Sequence, residues 1–257
     1  MSEKLVEITR ADIVESVHYG DIAVVNSRGQ VLHSVGDSER LTFFRSSAKP
    51  IIAVAVLEHG IVEKYKFDLK EISIMASSHN GSKEHIKVLN SIMGKLDICE
   101  SDLECGIRMP FGKEDADELL LSGRTPNQLH NNCSAKHMGV ISAAKKEGLD
   151  EEKYYKLEHP IQEEIRGVVG EFSGVNAEEI KIGLDGCGFP VYALPLKNIA
   201  MAYANLCDEN FLNGEYSKSQ NYVLSAMSMY PEMVAGKGRI ETEVMKLFGD
   251  RIIAKMG

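Results

Sequence analysis

The segment that decides the fold is RSSAKPIIAVAVL, residues 45–57. The eight residues after Lys49 are all apolar, and a run that is apolar on every face predicts a helix buried at the centre of a domain. Pro50 is compatible with a first helical turn, where its missing N–H would have no partner. The sequence therefore predicts a central helix with Ser46 and Lys49 at its N-terminal end.

The spacing of Ser46 and Lys49 places both side chains on one face of that helix. A serine hydroxyl is a poor nucleophile until a base removes its proton, and a lysine whose ammonium is desolvated can be that base. Backbone N–H groups at a helix start point toward a bound anion or oxyanion. The pair therefore indicates a nucleophile with its base. The ordinary alternative is a capping serine followed by a solvated lysine.

Two later motifs follow this pair in an informative order. Residues 78–80 have the form S-x-N, and residues 255–257 have the form K-x-G. The motifs S-x-x-K, S-D-N and K-T-G occur in this order in serine β-lactamases and penicillin-binding proteins. Ser78 could then relay a proton, Asn80 could hold a substrate carbonyl or amide, and Lys255 could bind a substrate carboxylate. Taken singly, each motif is also compatible with a polar loop or an ordinary surface lysine.

The rest of the chain predicts strands near both ends and helices between them. Ile22–Val25 and Val31–Val35 indicate a hairpin, followed by a third strand at 41–44. Lys181–Leu184 indicates another strand, and a last one is predicted to begin at Arg251. We therefore expect an α+β fold, one domain over residues 1–257, whose antiparallel sheet joins both chain ends beside a helical region. Further helices are predicted at 82–96, 133–148, 160–172, 196–206 and 219–229.

Cys133 and Cys187 suggest a metal site in addition to the serine–lysine pair. An odd number of cysteines, five in all, argues against a disulfide framework in a chain without a secretion signal. Cys133, Lys136 and His137 share a helix face, and two thiolates with a nitrogen ligand suit zinc. From chemistry alone His137 is the better nitrogen ligand, because lysine must first lose a proton. Ordinary buried cysteines are the alternative, and Asp185 could hold a substrate α-ammonium.

Charge and hydropathy exclude several classes of function. The net charge of −9 and the pI of about 5.4 argue against nucleic-acid binding, which needs basic surface. No run of about 18 apolar residues predicts a membrane span, and the charged N-terminus lacks the apolar segment of a signal peptide. We therefore expect a cytoplasmic protein with a small-molecule substrate. The oligomeric state is open, and a homodimer is one possibility.

Five motifs together give the chain a family resemblance from about Val6 to its last residue. They resemble the L-asparaginase II family, which is related in fold to serine β-lactamases and distinct from the threonine-dependent asparaginases. The motifs are RSSAKP at 45–50, SSHNG at 77–81, NNCSAKH at 131–137, DGCGFP at 185–190 and YPEMVAG at 230–236. The resemblance implies a serine β-lactamase-like α+β fold and hydrolysis of the L-asparagine side-chain amide to aspartate and ammonia.

The resemblance also implies a role for each matching residue. Ser46 would be the nucleophile, Lys49 its base, Ser78 the second hydroxyl of a proton relay and Lys255 the second lysine. A zinc ion would be held by three further side chains, with Lys136 in place of the chemically preferred histidine: Cys133, Lys136 and Cys187. Contacts to the substrate would come from Arg45, Asn80, His137 and Asp185.

One departure from the family bears on these expectations. Members of the family continue beyond the K-x-G position, whereas this sequence stops there, so we expect that a C-terminal part of the domain is missing.

Two alternatives remain open beside asparagine hydrolysis. One is a different serine amidohydrolase, such as a glutaminase or a β-lactam-directed enzyme. The other is a remnant that binds an amino acid or zinc without catalysis.

Overall fold

The strands form three separate antiparallel sheets in a computed structural model that describes all 257 residues, Met1–Gly257. β1 (Glu3–Arg10) pairs with β2 (Ile13–Gly20), and β3 (Ile22–Val25) pairs with β4 (Val31–Val35). The third sheet has the order β5–β7–β6 and consists of Leu41–Phe43, Pro190–Pro195 and Lys181–Leu184. The expected α+β class with antiparallel pairing is confirmed.

Eleven α-helices make up most of the remaining structure, and none is long and apolar enough to cross a membrane. The helices predicted from the sequence are all present, with ends that differ by at most a few residues. In chain order the helices are α1 Lys49–Leu57, α2 Ile61–Tyr65, α3 Leu69–Met75, α4 Lys83–Leu96, α5 Lys113–Leu121, α6 Ser134–Glu147, α7 Pro160–Ser173, α8 Leu196–Leu206, α9 Ser217–Met229, α10 Pro231–Val234 and α11 Ile240–Phe248.

Helix α1 is the centre of the helical region, as its apolar sequence predicts. All nine of its residues are buried, and it packs against α3, α6, α7 and α9. Burial of an Ile or Leu side chain contributes about 1.5–3 kcal/mol, so a helix that is apolar on every face is stable only when neighbours cover every face. The surrounding helices therefore fix the position of Lys49, the first residue of α1.

The loop that follows α3 is held against the start of α1 by contacts from distant parts of the chain. Residues 76–81 are all buried, and the Ser78 N–H donates to the Val234 carbonyl at 2.9 Å. The next helix, α4, begins with a capping box between Ser82 and His85. His85 Nε2 also bonds the Glu232 carbonyl at 2.9 Å. These contacts place the Ser78 side chain beside Lys49.

The prediction of one sheet that joins both chain ends is wrong. Residues 252–257 form no strand, and the sequence reasoning also missed the N-terminal hairpin β1–β2. The end of the chain is instead fixed by side-chain and close backbone contacts. Gly257 lies so near Ser47 that a Cβ at that position would be 2.9 Å from the Ser47 nitrogen. A segment rich in β-forming residues does not by itself show whether a strand forms, because a strand also needs the free edge of a neighbouring strand to pair with.

Candidate active site

Lys49 lies at the centre of a buried polar cluster. Its side chain is 2% exposed, and its amine donates to Ser77 O at 2.6 Å, Ser78 Oγ at 3.1 Å and Asn132 O at 3.0 Å. These three acceptors saturate the donors of an ammonium. Burial lowers the pKa of Lys49, because the charged form loses its hydration. Burial therefore favours the neutral form of Lys49, the form in which a lysine can accept a proton.

Ser78 Oγ lies between two lysines. Lys255 Nζ is 2.8 Å from Ser78 Oγ, and Lys49 Nζ approaches the same oxygen at 3.1 Å. Burial, followed by repulsion from Lys49, holds the pKa of Lys255 well below its ordinary value. Two amines that share one hydroxyl do not both keep their charge easily. The Lys49–Ser78–Lys255 chain can therefore carry a proton between its two amines.

Ser46 lies in a short 3-10 turn, Arg45–Ala48, directly before α1. Its hydroxyl is partly exposed and makes no hydrogen bond, so the predicted Ser46–Lys49 pair is not hydrogen-bonded in this structure. The neighbouring Ser47 hydroxyl donates to the Phe44 carbonyl. Of the two adjacent serines, Ser47 is therefore hydrogen-bonded to the backbone and the hydroxyl of Ser46 is free.

Arg45 and Asp185 form an ion pair at the edge of the cluster. Arg45 Nη2 is 3.0 Å from Asp185 Oδ1, which also accepts the Gly186 N–H at 2.7 Å. Arg45 has a φ of +51°, a left-handed conformation that costs a non-glycine residue free energy. Asp185 was predicted to hold a substrate ammonium. In this structure its carboxylate is paired with the Arg45 guanidinium, so a substrate ammonium would have to share the carboxylate with Arg45.

The Asn80 side chain is enclosed by glycine backbone. A Cβ at Gly236 would lie 2.6 Å from Asn80 Cγ, and one at Gly112 would lie 3.1 Å from the same atom. Position 236 therefore has no room for a side chain, and its φ of +130° is a second reason for glycine there. Asn80 Oδ1 is buried and has no hydrogen-bond partner. An unpaired buried amide oxygen costs free energy, which a donor on a bound molecule would recover.

Cys133, Lys136 and Cys187 meet next to Lys49. All three are buried, and Lys136 Nζ lies 3.4 Å from Cys187 Sγ. A hydrogen bond from the Cys187 thiol lowers the pKa of Cys133, and the positive charges of Lys49 and Lys136 act in the same direction. The structure contains no group of three or more His, Cys, Asp or Glu side chains that could hold a metal ion. A metal bound by these cysteines would therefore need the Lys136 amine.

His137 is hydrogen-bonded to a tyrosine, whereas its side-chain chemistry suggested a zinc ligand. Its Nδ1 is 2.6 Å from the Tyr154 hydroxyl, which in turn accepts the Glu104 N–H at 2.9 Å. The Tyr154 hydroxyl can donate to Nδ1, and this arrangement would leave the ring proton on Nε2. Burial holds the pKa of His137 well below its usual value, and Nε2 has no partner. His137 is therefore neutral, and it forms no hydrogen bond to either cysteine sulfur.

Sequence reasoning missed two groups of this cluster. One is the Asn132 carbonyl, which accepts from Lys49 across 83 residues of sequence. Main-chain acceptors carry no signal in a motif, because any residue could supply them. The other is Tyr154, whose hydroxyl is hydrogen-bonded to His137 Nδ1. A tyrosine in a charged segment such as 150–158 gives no indication of the helix against which it packs.

Comparison with known proteins assigns the chain to a family. The family model described as L-asparaginase II matches residues 6–257, nearly the whole sequence. No curated protein matches the chain. The five motifs that carry the resemblance all fall inside the matched range, and four of them supply side chains of the cluster around Lys49. The chain therefore belongs to the L-asparaginase II family and is a hydrolase that acts on amides.

Proposed function

We propose that this enzyme hydrolyses the side-chain amide of L-asparagine to aspartate and ammonia through an acyl-enzyme on serine. The observation that carries the proposal is the Ser78 hydroxyl, held between the amines of Lys49 and Lys255, with Ser46 in the turn that leads directly into α1. Amide hydrolysis needs a nucleophile, a base and a proton donor for the leaving nitrogen. We further propose that residues 1–257 form one domain of the serine β-lactamase type.

In the proposed mechanism Ser46 attacks the amide carbon while neutral Lys49 accepts the hydroxyl proton. Backbone N–H groups at the start of α1 stabilise the oxyanion. The proton then passes through Ser78 Oγ to the leaving nitrogen, and ammonia departs. Water hydrolyses the resulting aspartyl ester by the same groups in reverse order. Lys255, which contacts the Ser78 hydroxyl from the other side, keeps the relay protonated.

A second assignment exchanges the two serines. Ser78 contacts both lysines, which favours it as a nucleophile, whereas Ser46 is more open to a substrate, because the Ser78 side chain is 1% exposed. We prefer Ser46, since an attacking oxygen must reach the amide carbon before its proton is transferred. The hydrogen bond to Lys49 can form on substrate binding, as catalytic hydrogen bonds often lengthen in the absence of substrate.

The cysteine–lysine cluster fits a zinc ion. Two sulfurs and one amine are donors that zinc accepts, and the lowered pKa of Cys133 favours the thiolate form that binds zinc. We propose that Cys133, Lys136 and Cys187 hold the ion, which when bound would orient the substrate as a Lewis acid. Lys136 must be neutral to bind it. The Lys136 amine also lies 3.7 Å from the centre of the Phe189 ring.

Metal content tests this assignment directly. Elemental analysis of the purified wild-type protein should give about one zinc per chain, because the three side chains form a single ligand set, and Cys133→Ala should lose it because the thiolate ligand is removed. The matched control is Cys207→Ala, since Cys207 is an exposed free cysteine outside the cluster. Metal-free wild-type protein in which both Cys133 and Cys187 are readily alkylated would rule out the zinc site.

The substrate is tested by ammonia release with three compounds. We expect turnover of L-asparagine, with aspartate and ammonia in equal amounts. L-glutamine should have a kcat/KM about 10- to 200-fold lower, because one extra methylene displaces the amide from the nucleophile. A chromogenic β-lactam should remain intact. Preferred hydrolysis of glutamine or ring opening would favour the other amidohydrolases, and calorimetric binding of asparagine without ammonia release would favour a non-catalytic binding protein.

A further inference from the structure

Arg239 is the residue before α11, and its guanidinium lies beside the proposed site. Its Nη2 is 3.2 Å from the sulfur of Met256, the residue that follows Lys255. The guanidinium carbon lies 4.7 Å from the centre of the Phe111 ring, so the plane of the cation is supported by an aromatic surface. Its positive charge also lowers the pKa of Lys255, after burial and the larger effect of Lys49. Arg239 is therefore an electrostatic neighbour of the lysine pair.

A cavity connects Arg239 with the loop that carries Ser78. It has a volume of about 700 Å³, enough for an amino acid with bound water. Its lining includes Phe111, Gly236, Arg239 and Asn80, the last being two residues beyond Ser78. Asn80 Oδ1 is buried without a partner, and the Asn80 and Arg239 side chains line the same cavity.

The donors of Arg239 are largely unused. Its only hydrogen bond goes to the Met256 thioether, which is a weak acceptor. Glu241 Oε1 forms an ion pair with Arg239 Nη2 at 3.7 Å but accepts no hydrogen bond from it. The other cations of the site are engaged: Lys49 and Lys255 by Ser78, Lys136 by Cys187 and Arg45 by Asp185.

We propose that Arg239 binds the α-carboxylate of the substrate and so restricts the enzyme to amides that carry this carboxylate. The inference rests on the proposed function and extends it to a specificity-determining residue. A guanidinium holds a carboxylate through two parallel hydrogen bonds, a geometry that lysine cannot reproduce. Three cationic and four acidic side chains line the cavity, so a zwitterion is accommodated better than a dianion.

Two analogues of asparagine separate this role from a structural one. Succinamate keeps the carboxylate and the amide but lacks the α-ammonium, whereas β-alaninamide keeps the ammonium and the amide but lacks the carboxylate. For Arg239→Gln we expect kcat/KM for L-asparagine and succinamate to fall about 10- to 100-fold, mainly through KM, because a charge-assisted contact is lost. Turnover of β-alaninamide should not change. Arg239→Lys should recover part of the loss.

The control is Arg124→Gln, because Arg124 lines a separate cavity and bonds only the Ser122 hydroxyl. All three substrates should behave with this variant as with wild-type protein. An equal loss on β-alaninamide, or an unchanged KM for succinamate with Arg239→Gln, would overturn the assignment.

Failure of the proposed reaction can be told apart from failure of this inference. If wild-type protein releases no ammonia from asparagine, the proposed function fails, and calorimetric titration with L-aspartate then tests Arg239 alone. Weaker binding by Arg239→Gln than by Arg124→Gln, again by about 10- to 100-fold, would support the carboxylate contact. Equal affinity of both variants, or no binding to wild-type protein, would overturn it.

Discussion

Replacing Ser46 with alanine is expected to lower kcat for L-asparagine by about 10⁴-fold or more, since loss of the nucleophile leaves only binding and oxyanion stabilisation. Ser46 Oγ makes no hydrogen bond and is partly exposed, so the free energy of unfolding should change by no more than about 0.5 kcal/mol. The measurements are ammonia release under saturating substrate and thermal unfolding of the same preparation.

The matched control is Ser47→Ala at the adjacent position. Its hydroxyl is bound to the Phe44 carbonyl rather than free, so we expect a loss of about 1 kcal/mol in stability with activity retained. Mass spectrometry of enzyme quenched during turnover then identifies the acylated residue. An aspartyl adduct on Ser46 in wild-type protein is expected, and the same adduct on Ser78 in Ser46→Ala would show that Ser78 is the nucleophile.

Replacing Lys49 with arginine is expected to reduce kcat between about 10²- and 10⁴-fold, the range for loss of a general base. Arginine keeps the positive charge and can donate to the Ser77 and Asn132 carbonyls, but it does not lose a proton in proteins. The variant therefore separates the base from the hydrogen-bond donor. Lys49→Met removes both functions and leaves two buried carbonyls unpaired, so it should also lower the stability.

Two further measurements make the Lys49 experiment decisive. Lys87→Arg, at an exposed position on α4, should leave both kcat and stability unchanged. In wild-type protein kcat/KM should rise with pH, because a lysine is a base only in its neutral form, and burial extends that form to lower pH. Near-normal turnover by Lys49→Arg, or activity that falls as pH rises from 6 to 8, would contradict the assigned role.

Much of the fold could be predicted because its signals are local. The helices α4, α7 and α8 and the hairpin β3–β4 follow from periodicity, turn residues and proline within each segment. The prediction of a strand at the C-terminal end failed for a physical reason. Whether residues 251–257 form a strand depends on a neighbouring edge, and such pairing is decided by parts of the chain that are distant in sequence.

The candidate site could likewise be predicted only where its signals are local. The sequence by itself determined that a serine and a lysine stand at the start of a buried apolar helix, because three-residue spacing and an apolar run are properties of one segment. Only the tertiary structure decided that Lys49 bonds Ser78 rather than Ser46, that Lys255 reaches the same hydroxyl, and that Arg45 neutralises Asp185. The two bonds to Ser78 join residues 29 and 177 positions apart. Contacts at such separations depend on how helices pack and loops close, and neither follows from the order of residues within a motif.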